Sequence, residues 1–374
     1  MRPRDLGIVI GTGRPGPNNA ITDVAGVRVG HATIVRGHGP LVVGEGPVRT
    51  GVTVIMPRPE PIFRRPYFAG CHRLNGNGEL TGLEWVRESG LLTSPIGLTN
   101  THSVGVVRDA LVAWEVRQRL PGEPYWSLPV VGETWDGVLS DIGGQHVRAA
   151  DLWGAVGALS DGPVAEGSVG GGTGMICHGF KGGIGTSSRL AELAGETLTV
   201  GVLVQANHGR RERLTVAGVP VGLRLPAARV PLPGVPGEGE PSPGRDHDGR
   251  GSIIVVIATD APLLPGQCRR LAQRATLGIG RTGGVGEHTS GDLVLCFATG
   301  NPDLPEPSAA SRPPTRTALI ALDDHHITPL FDAVVEATEE AIVSALLAAD
   351  TMAGRDGIIA HRLPPDALRG LVGG

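Results

Sequence analysis

Residues 231–250, PLPGVPGEGEPSPGRDHDGR, run without a break into Gly251-Ser252-Ile253-Ile254-Val255-Val256-Ile257-Ala258. The first segment holds five prolines and five glycines in twenty residues. Proline removes a backbone donor and glycine loosens the chain, so a flexible, solvated linker is expected rather than a helix or central strand. The second segment is an unbroken apolar run, mostly β-branched, the signature of a strand buried on both faces. The junction between them decides how the rest is read. A fixed strand holds its first residue, Ser252, rigidly, while the linker before it stays free to leave.

Outward from this junction, residues 292–299 read as a second strand and 265–277 as a helix before a glycine turn. Residues 329–349, with apolar positions at three-and-four spacing, form the strongest helix pattern in the chain. Upstream, residues 26–32, 51–57 and 198–205 carry the alternation and β-branched content of strands. Helices are expected at 80–90, at 104–120 with Pro121-Gly122 as the stop, and at 147–159. Strands and helices mix without a fixed repeat, which points to α+β layers in one domain spanning residues 1–374.

Bulk composition narrows the function. Hydrophobic residues make up 40% of the 374, enough for a sizeable core, and aromatics only 3%, so that core is aliphatic. Net charge is −4 and no basic block stands out, so no nucleic-acid partner is expected. The longest clear apolar run, 253–258, is far too short to span a membrane, and no membrane association is expected. Cys71, Cys177, Cys268 and Cys296 lack CxxC spacing and read as free buried thiols suited to a reducing compartment. Residues 1–11 show no secretory pattern, so a cytoplasmic location is expected.

The chemistry centres on Gly251-Ser252. Attack of the Ser252 hydroxyl on the Gly251 carbonyl would form an ester. Its hydrolysis would leave Ser252 with a free α-amine able to act as base for its own hydroxyl. A Gly-Ser pair before a strand also serves as a plain turn; the abrupt passage from linker to core singles this one out. A nucleophile needs supporting groups. Ser290 and Asp292 alternate at the entry to the 292–299 strand and so point the same way, where a carboxylate beside a hydroxyl can orient a proton. Asn207, just past the 198–205 strand, carries an amide suited to an oxyanion. The bland alternative for all three is turn chemistry.

These residues converge on a known family. Asn77-Gly78-Glu79-Leu80-Thr81-Gly82, Thr99 to Gly105, Pro129 to Thr134, Val169 to Gly185, Gly201 to Asn207, Gly251-Ser252, Thr289-Ser290-Gly291-Asp292 and Ala337 to Gly357 occur in order along nearly the whole chain. In these segments the sequence resembles the L-aminopeptidase/D-esterase/amidases and β-aminopeptidases, the DmpA-type or P1-type serine peptidases. The resemblance implies a four-layer αββα sandwich similar in layering to N-terminal nucleophile hydrolases but different in connectivity. It implies self-cleavage between Gly251 and Ser252 into chains 1–251 and 252–374, and four copies of the cleaved heterodimer. It places the catalytic group on Ser252, Ser290, Asp292 and Asn207, and recognition of the substrate's free amine on Glu133. Substrates would be short peptides, amino-acid amides or esters, with no metal or organic cofactor. Two departures stand out. Trp135 occupies a place where the family often has tyrosine, and an indole donates but does not accept. Asp292 stands where some relatives carry glutamate.

Other motifs read more plainly. Gly170-Gly171-Gly172-Thr173-Gly174 lacks phosphate-loop spacing and suits close backbone packing. Thr101-His102-Ser103-Val104-Gly105 lacks the first glycine of a nucleophile elbow and reads as a turn into the following helix. Asp323-Asp324-His325-His326 reads as a solvated turn rather than a metal site. Trp85, Trp114 and Trp153 read as core or interface residues. Two competing functions stay open at this level. One is an acyltransferase of the ornithine acetyltransferase type, whose new N-terminal residue is threonine rather than the serine found here. The other is a binding relative that never cleaves itself.

Overall fold

The computed structural model describes residues 1–123, 125–193, 195–235, 251–307 and 316–373. Residues 236–250, the greater part of the expected linker, lie outside the described residues. In chain order the strands are β1 (Arg28–Arg36), β2 (Val48–Met56), β3 (Tyr67–Gly76), β4 (Leu91–Leu92), β5 (Ile96–Asn100), β6 (Val130–Thr134), β7 (Ile176–Cys177), β8 (Phe180–Lys181), β9 (Gly183–Leu193), β10 (Glu196–Asn207), β11 (Ser252–Thr259), β12 (Gly291–Ala298), β13 (Met352–Ala353) and β14 (Ile359–Ala360). The helices are α1 (Leu83–Ser89), α2 (Val104–Val116), α3 (Ala149–Gly157), α4 (Val221–Arg224), α5 (Pro265–Arg281), α6 (Thr328–Ala348) and α7 (Pro365–Val372).

Two main sheets carry the fold, one in the order β1-β2-β5-β6 and one in the order β4-β3-β12-β11-β10-β9. Three apolar clusters define the layers. Ile55, Leu98 and Val130 of the smaller sheet meet Leu203, Ile254, Val256, Leu295 and Phe297 of the larger. The outer face of the larger sheet, through Val204, Val255, Ile257 and Cys296, packs on Leu271 and Ile279 of α5 and Val334, Ala341 and Ala345 of α6. The outer face of the smaller sheet, through Val52, Val54 and Val131, packs on Val107, Leu111, Leu152 and Ala155 of α2 and α3. The result is the expected αββα sandwich.

Strand β11 explains its own sequence. It is buried from end to end, with Ile254, Val256 and Ala258 toward the other sheet and Ile253, Val255 and Ile257 toward the helices. A strand covered on both faces has no polar side to present, hence the unbroken run. Burying each such side chain stabilises the fold by about 1.5–3 kcal/mol. The strand runs parallel to β12 and antiparallel to β10.

Helix α6 is covered almost all round rather than along one stripe. Glu336, Glu339 and Glu340 are buried with its apolar residues. The fully buried Arg189 of β9 bridges to Glu336 at 3.1 Å and Glu340 at 2.6 Å. The helix backbone lies directly on β9, since a Cβ at Gly185 would stand 1.9 Å from the Ala341 carbonyl oxygen.

The expected elements are present with shifted ends. Helix α2 stops at Val116, short of 120, while α5 continues to Arg281, beyond 277. Gly278 lets α5 and α6 touch, because a Cβ there would lie 2.6 Å from the Cβ of Thr338. Strands β3, β5, β6 and β9 have no counterpart in the sequence reading. All four cysteines are free and buried. Thr101–Ser103 is a 3-10 turn that leads into α2, and Asp324–His326 is an exposed 3-10 turn capped by the Asp323 carboxylate. The three tryptophans are only partly buried: Trp153 is 37% exposed and lies under the Arg117 guanidinium at 4.2 Å. Among the described residues no helix is long and apolar enough to cross a membrane.

Candidate active site

Register brings the site together. Ser252 opens β11 and pairs with Asn207, the last residue of β10, while Ile253 pairs with Asp292 of β12. Directly opposed residues on antiparallel strands project to the same face, so Ser252 and Asn207 both turn toward the smaller sheet. There β6 lies across β11. A Cβ at Gly132 would touch the Ile254 side chain at 3.1 Å, and this close crossing places Glu133 beside Ser252. Asn77, Gly78, Glu79, Thr101, Glu133, Trp135, Gly251, Ser252 and Thr289 line one cleft of about 570 Å³.

The groups around Ser252 are fixed by backbone. The Gly291 N–H donates to Ser252 Oγ at 3.0 Å. Gly291 has no room for a side chain, because a Cβ would fall 2.5 Å from the Asn77 carbonyl oxygen. Asn77 pins the same loop by donating its N–H to the Ser290 carbonyl at 3.1 Å and its amide to the Thr289 carbonyl at 2.7 Å. Ser290 Oγ donates to Asp292 Oδ1 at 2.5 Å, as their alternation suggested. Gly251 is packed just as tightly: a Cβ would stand 1.7 Å from the Asn207 carbonyl oxygen.

Asn207 is locked in orientation. Its Oδ1 accepts the Ile176 N–H at 2.7 Å, and its Nδ2 donates to the Trp135 carbonyl at 3.0 Å. An amide nitrogen carries two hydrogens, so one remains for another acceptor. The Trp135 ring is 38% exposed and lies over Gly137, where a Cβ would meet it at 2.6 Å.

Glu133 is buried and held at both oxygens. Oε1 accepts the Glu79 N–H at 2.9 Å, and Oε2 accepts the Thr101 hydroxyl. Burial raises its carboxyl above the ordinary glutamate value, against the two hydrogen bonds, and the Glu79 charge raises it further. Burial likewise pushes the Asp292 carboxyl up to about 6, opposed by the Ser290 hydrogen bond and helped by the charge of Glu287. Two carboxylates, Glu79 and Glu133, thus line the cleft with a serine hydroxyl. This is a place for a cation beside an acyl group.

Of the residues singled out in the sequence, Glu133, Trp135, Gly251 and Ser252 line the cleft, Asn207 pairs with Ser252, and Ser290 and Asp292 flank the Gly291 N–H that bonds Ser252 Oγ. The roles of Thr101, Asn77 and the Gly291 N–H were not foreseen. Thr101 reaches Glu133 because β5 and β6 run parallel with Asn100 beside Thr134, a pairing that no local pattern announces. Only the proximity of Thr289-Ser290-Gly291-Asp292 to a candidate serine gave a signal for Gly291.

A two-sheet sandwich with a serine at the head of a buried central strand has the architecture of an N-terminal nucleophile hydrolase. Residues 19–360 match the sequence model of peptidase family S58, and the chain belongs to that family, as an aminopeptidase-type hydrolase. The chain is 47% identical over 371 residues to the β-peptidyl aminopeptidase BapA of Sphingosinicella microcystinivorans, covering 99% of this chain and 91% of that protein. Among solved structures, a Burkholderia sp. β-aminopeptidase superimposes with a TM-score of 0.88 at 54% identity, covering 99% of both chains. The L-aminopeptidase D-Ala-esterase/amidase of Ochrobactrum anthropi, described as a prototype for serine aminopeptidases and a variant of the Ntn hydrolase fold, superimposes at 0.86 with 40% identity, covering 99% of this chain and 98% of that one.

Proposed function

We propose that this chain activates itself by cleavage between Gly251 and Ser252 and then works as an N-terminal serine aminopeptidase and amidase. The observation that carries the reading is the cleft itself, where Ser252 Oγ, a backbone N–H bonded to it and the Glu133 carboxylate converge. In the first reaction Ser252 Oγ adds to the Gly251 carbonyl carbon and the Gly251–Ser252 C–N bond breaks. The hydroxyl proton ends on the freed α-amine. Water then splits the ester, leaving a carboxylate on Gly251 and chains 1–251 and 252–374, with the 231–250 segment at the end of the first.

In the second reaction Glu133 holds the cationic amine of a short peptide, amino-acid amide or ester. Ser252 Oγ attacks the substrate carbonyl, and its proton passes to the Ser252 α-amine or to Ser290. Ser290 can accept because its own proton is committed to Asp292. The remaining Asn207 N–H and the Gly291 N–H suit the oxyanion, a contribution of about 3–4 kcal/mol in other enzymes. The leaving amine takes the proton, and water resolves the acyl-enzyme. Relatives named as β-peptidyl aminopeptidases and as an L-aminopeptidase support this substrate class without choosing between β- and α-residues. A tetramer of cleaved heterodimers and a cytoplasmic location belong to the same reading.

Intact mass under denaturing conditions tests it. Two fragments, the smaller beginning at Ser252, are expected from the wild type. Ser252→Ala should remain one uncut 38.6 kDa chain without activity. A cleaved and active Ser252→Ala protein would overturn the assignment.

A further inference from the structure

A buried cluster of soft donors adjoins Asn207 and has no part in the hydrolytic chemistry above. Cys177 ends β7, His178 lies in the turn to β8, and His208 follows β10. The Cys177 Sγ and one ring nitrogen of each histidine lie within 4.8 Å of one another, and all three residues are buried. The surrounding backbone holds them there. The His178 N–H donates to the His208 carbonyl at 2.7 Å, and His178 Nδ1 bonds the Arg210 carbonyl at 3.0 Å. His178 adopts a left-handed φ of 48°. Gly209 leaves room for its ring, which a Cβ would meet at 2.3 Å.

What the cluster lacks is partners for its own nitrogens. Cys177 Sγ reaches His208 Nδ1 at 3.8 Å, but Nε2 of His178 and Nε2 of His208 have no hydrogen-bond partner among the described residues. A buried polar atom left without a partner is unfavourable. A thiol beside His208 Nδ1, with the His178 ring in the same cluster and its Nε2 unpartnered, describes a ligand set rather than a hydrogen-bond network.

We propose that Cys177, His178 and His208 form a metal site that takes one soft monovalent cation, Cu(I). A thiolate and two imidazoles are the donors such a cation selects. Ligand atoms at bond lengths of about 2.0–2.3 Å stand roughly 3.5–4 Å apart, so the Sγ to Nδ1 spacing already fits and the widest spacing closes by small side-chain rotations. The Nδ1 bond of His178 to a backbone carbonyl is the outer contact that orients a metal-binding imidazole.

Charge and ligand count favour Cu(I) over Zn²⁺. Among the described residues no fourth His, Cys, Asp or Glu joins the group, so zinc would have to complete its four-coordinate shell with water inside a buried cluster. Zinc with one thiolate would also bury a net positive charge near Lys181, which is buried, and near Arg211, whose Nε donates to the His178 carbonyl at 3.1 Å. Cu(I) with one thiolate and two neutral imidazoles is uncharged. On binding, the Cys177 S–H bond breaks and its proton leaves to solvent. One Cu–S and two Cu–N bonds form, and no electron is transferred. The loaded site would clamp β7 to the end of β10, the same two segments joined by the Ile176 N–H to Asn207 Oδ1 bond.

The test is anaerobic titration of the purified full-length protein with Cu(I) held by a coloured chelator, on native protein and on protein refolded in its presence. One equivalent per chain should be withdrawn from the chelator. Cys177→Ala and His208→Gln should each reduce this to zero, whereas Cys268→Ala should retain it. X-ray absorption on the loaded wild type, which depends on no variant folding, should show one sulfur and two nitrogen neighbours. Failure to take up copper in either preparation would overturn the proposal. So would two sulfur neighbours, or retention of copper by Cys177→Ala. A parallel titration in which Zn²⁺ is held more tightly than Cu(I) would overturn the choice of metal.

Discussion

Gly251→Ala separates a glycine that is merely tolerated before the serine from one that the geometry demands. The new Cβ would lie 1.7 Å from the Asn207 carbonyl oxygen, 2.7 Å from its carbon and 3.0 Å from the His208 Cα, all of them backbone. Real Cβ contacts do not fall below 3.0 Å, so the segment must retreat by 3.0 − 1.7 = 1.3 Å. Neither side yields easily: Asn207 is tied to β11 by its register with Ser252 and to Ile176 and Trp135 by its side chain. The retreat therefore falls on Gly251, whose carbonyl is the proposed electrophile. A misplacement of about 1 Å costs on the order of 10²-fold in rate. The variant should fold, because Gly251 precedes β11 and takes no part in its pairing with β10, but cleave itself about 100-fold more slowly than the wild type. Timed samples analysed by denaturing mass spectrometry give both rates. Processing of Gly251→Ala within threefold of the wild type would show that this contact does not set the attack geometry.

Glu133→Gln keeps the shape of the side chain but removes the charge, and should lower kcat/KM for free-amine substrates by about 10–100-fold, mostly through KM. Self-cleavage should continue, because the Gly251 carbonyl brings no amine to that carboxylate; loss of processing would assign Glu133 another role. The pH profile should report Asp292. Its carboxyl, raised to about 6, must be ionised to accept the Ser290 proton, so kcat/KM should fall as pH drops through 6, and Asp292→Asn should abolish that limb. The same upward shift from 3.8 means that ionisation opposes folding, a cost that develops as pH rises from about 4 to 6. Arg189→Met leaves Glu336 and Glu340 without their buried partner and should reduce stability by about 3–5 kcal/mol, measured by chemical denaturation of the processed protein.

Much of this fold was legible because its central strands are buried on both faces. Strand β11 and helix α6 carry apolar content that only deep burial explains, and each was placed to within a residue or two. Strands β5 and β6 escaped notice for the opposite reason. Each is five residues long, and Gly97 and Gly132 interrupt their apolar character. Both glycines answer to tertiary contacts, Gly97 to the Val107 side chain and Gly132 to Ile254. Strand β9 was hidden inside a glycine-rich tract for the same reason, since Gly183 and Gly185 are there to admit the Gly167 backbone and helix α6. Local composition reports how deeply a residue is buried. It does not report which distant backbone a glycine must admit. The proposed nucleophile was therefore visible from its strand, whereas Thr101 and Asn77 depend on pairings that only the assembled sandwich defines.

Trp135 shows why a departure from the tyrosine often found at this place in the family need not disable such a site. The sequence suggests that replacing a phenol by an indole removes an acceptor. In the structure the acceptor that fixes Asn207 is the Trp135 carbonyl, a backbone atom that any side chain at 135 would supply. The Asn207 amide is further locked by the Ile176 N–H at its other end. A donor held this way needs no reorganisation when negative charge develops, the condition under which such groups help most. The indole is instead a partly exposed wall of the cleft, seated on Gly137. Variation at 135 thus changes the shape of the cleft wall, while orientation of Asn207, the proposed oxyanion donor, rests with backbone atoms of β7 and of the residues that follow β6.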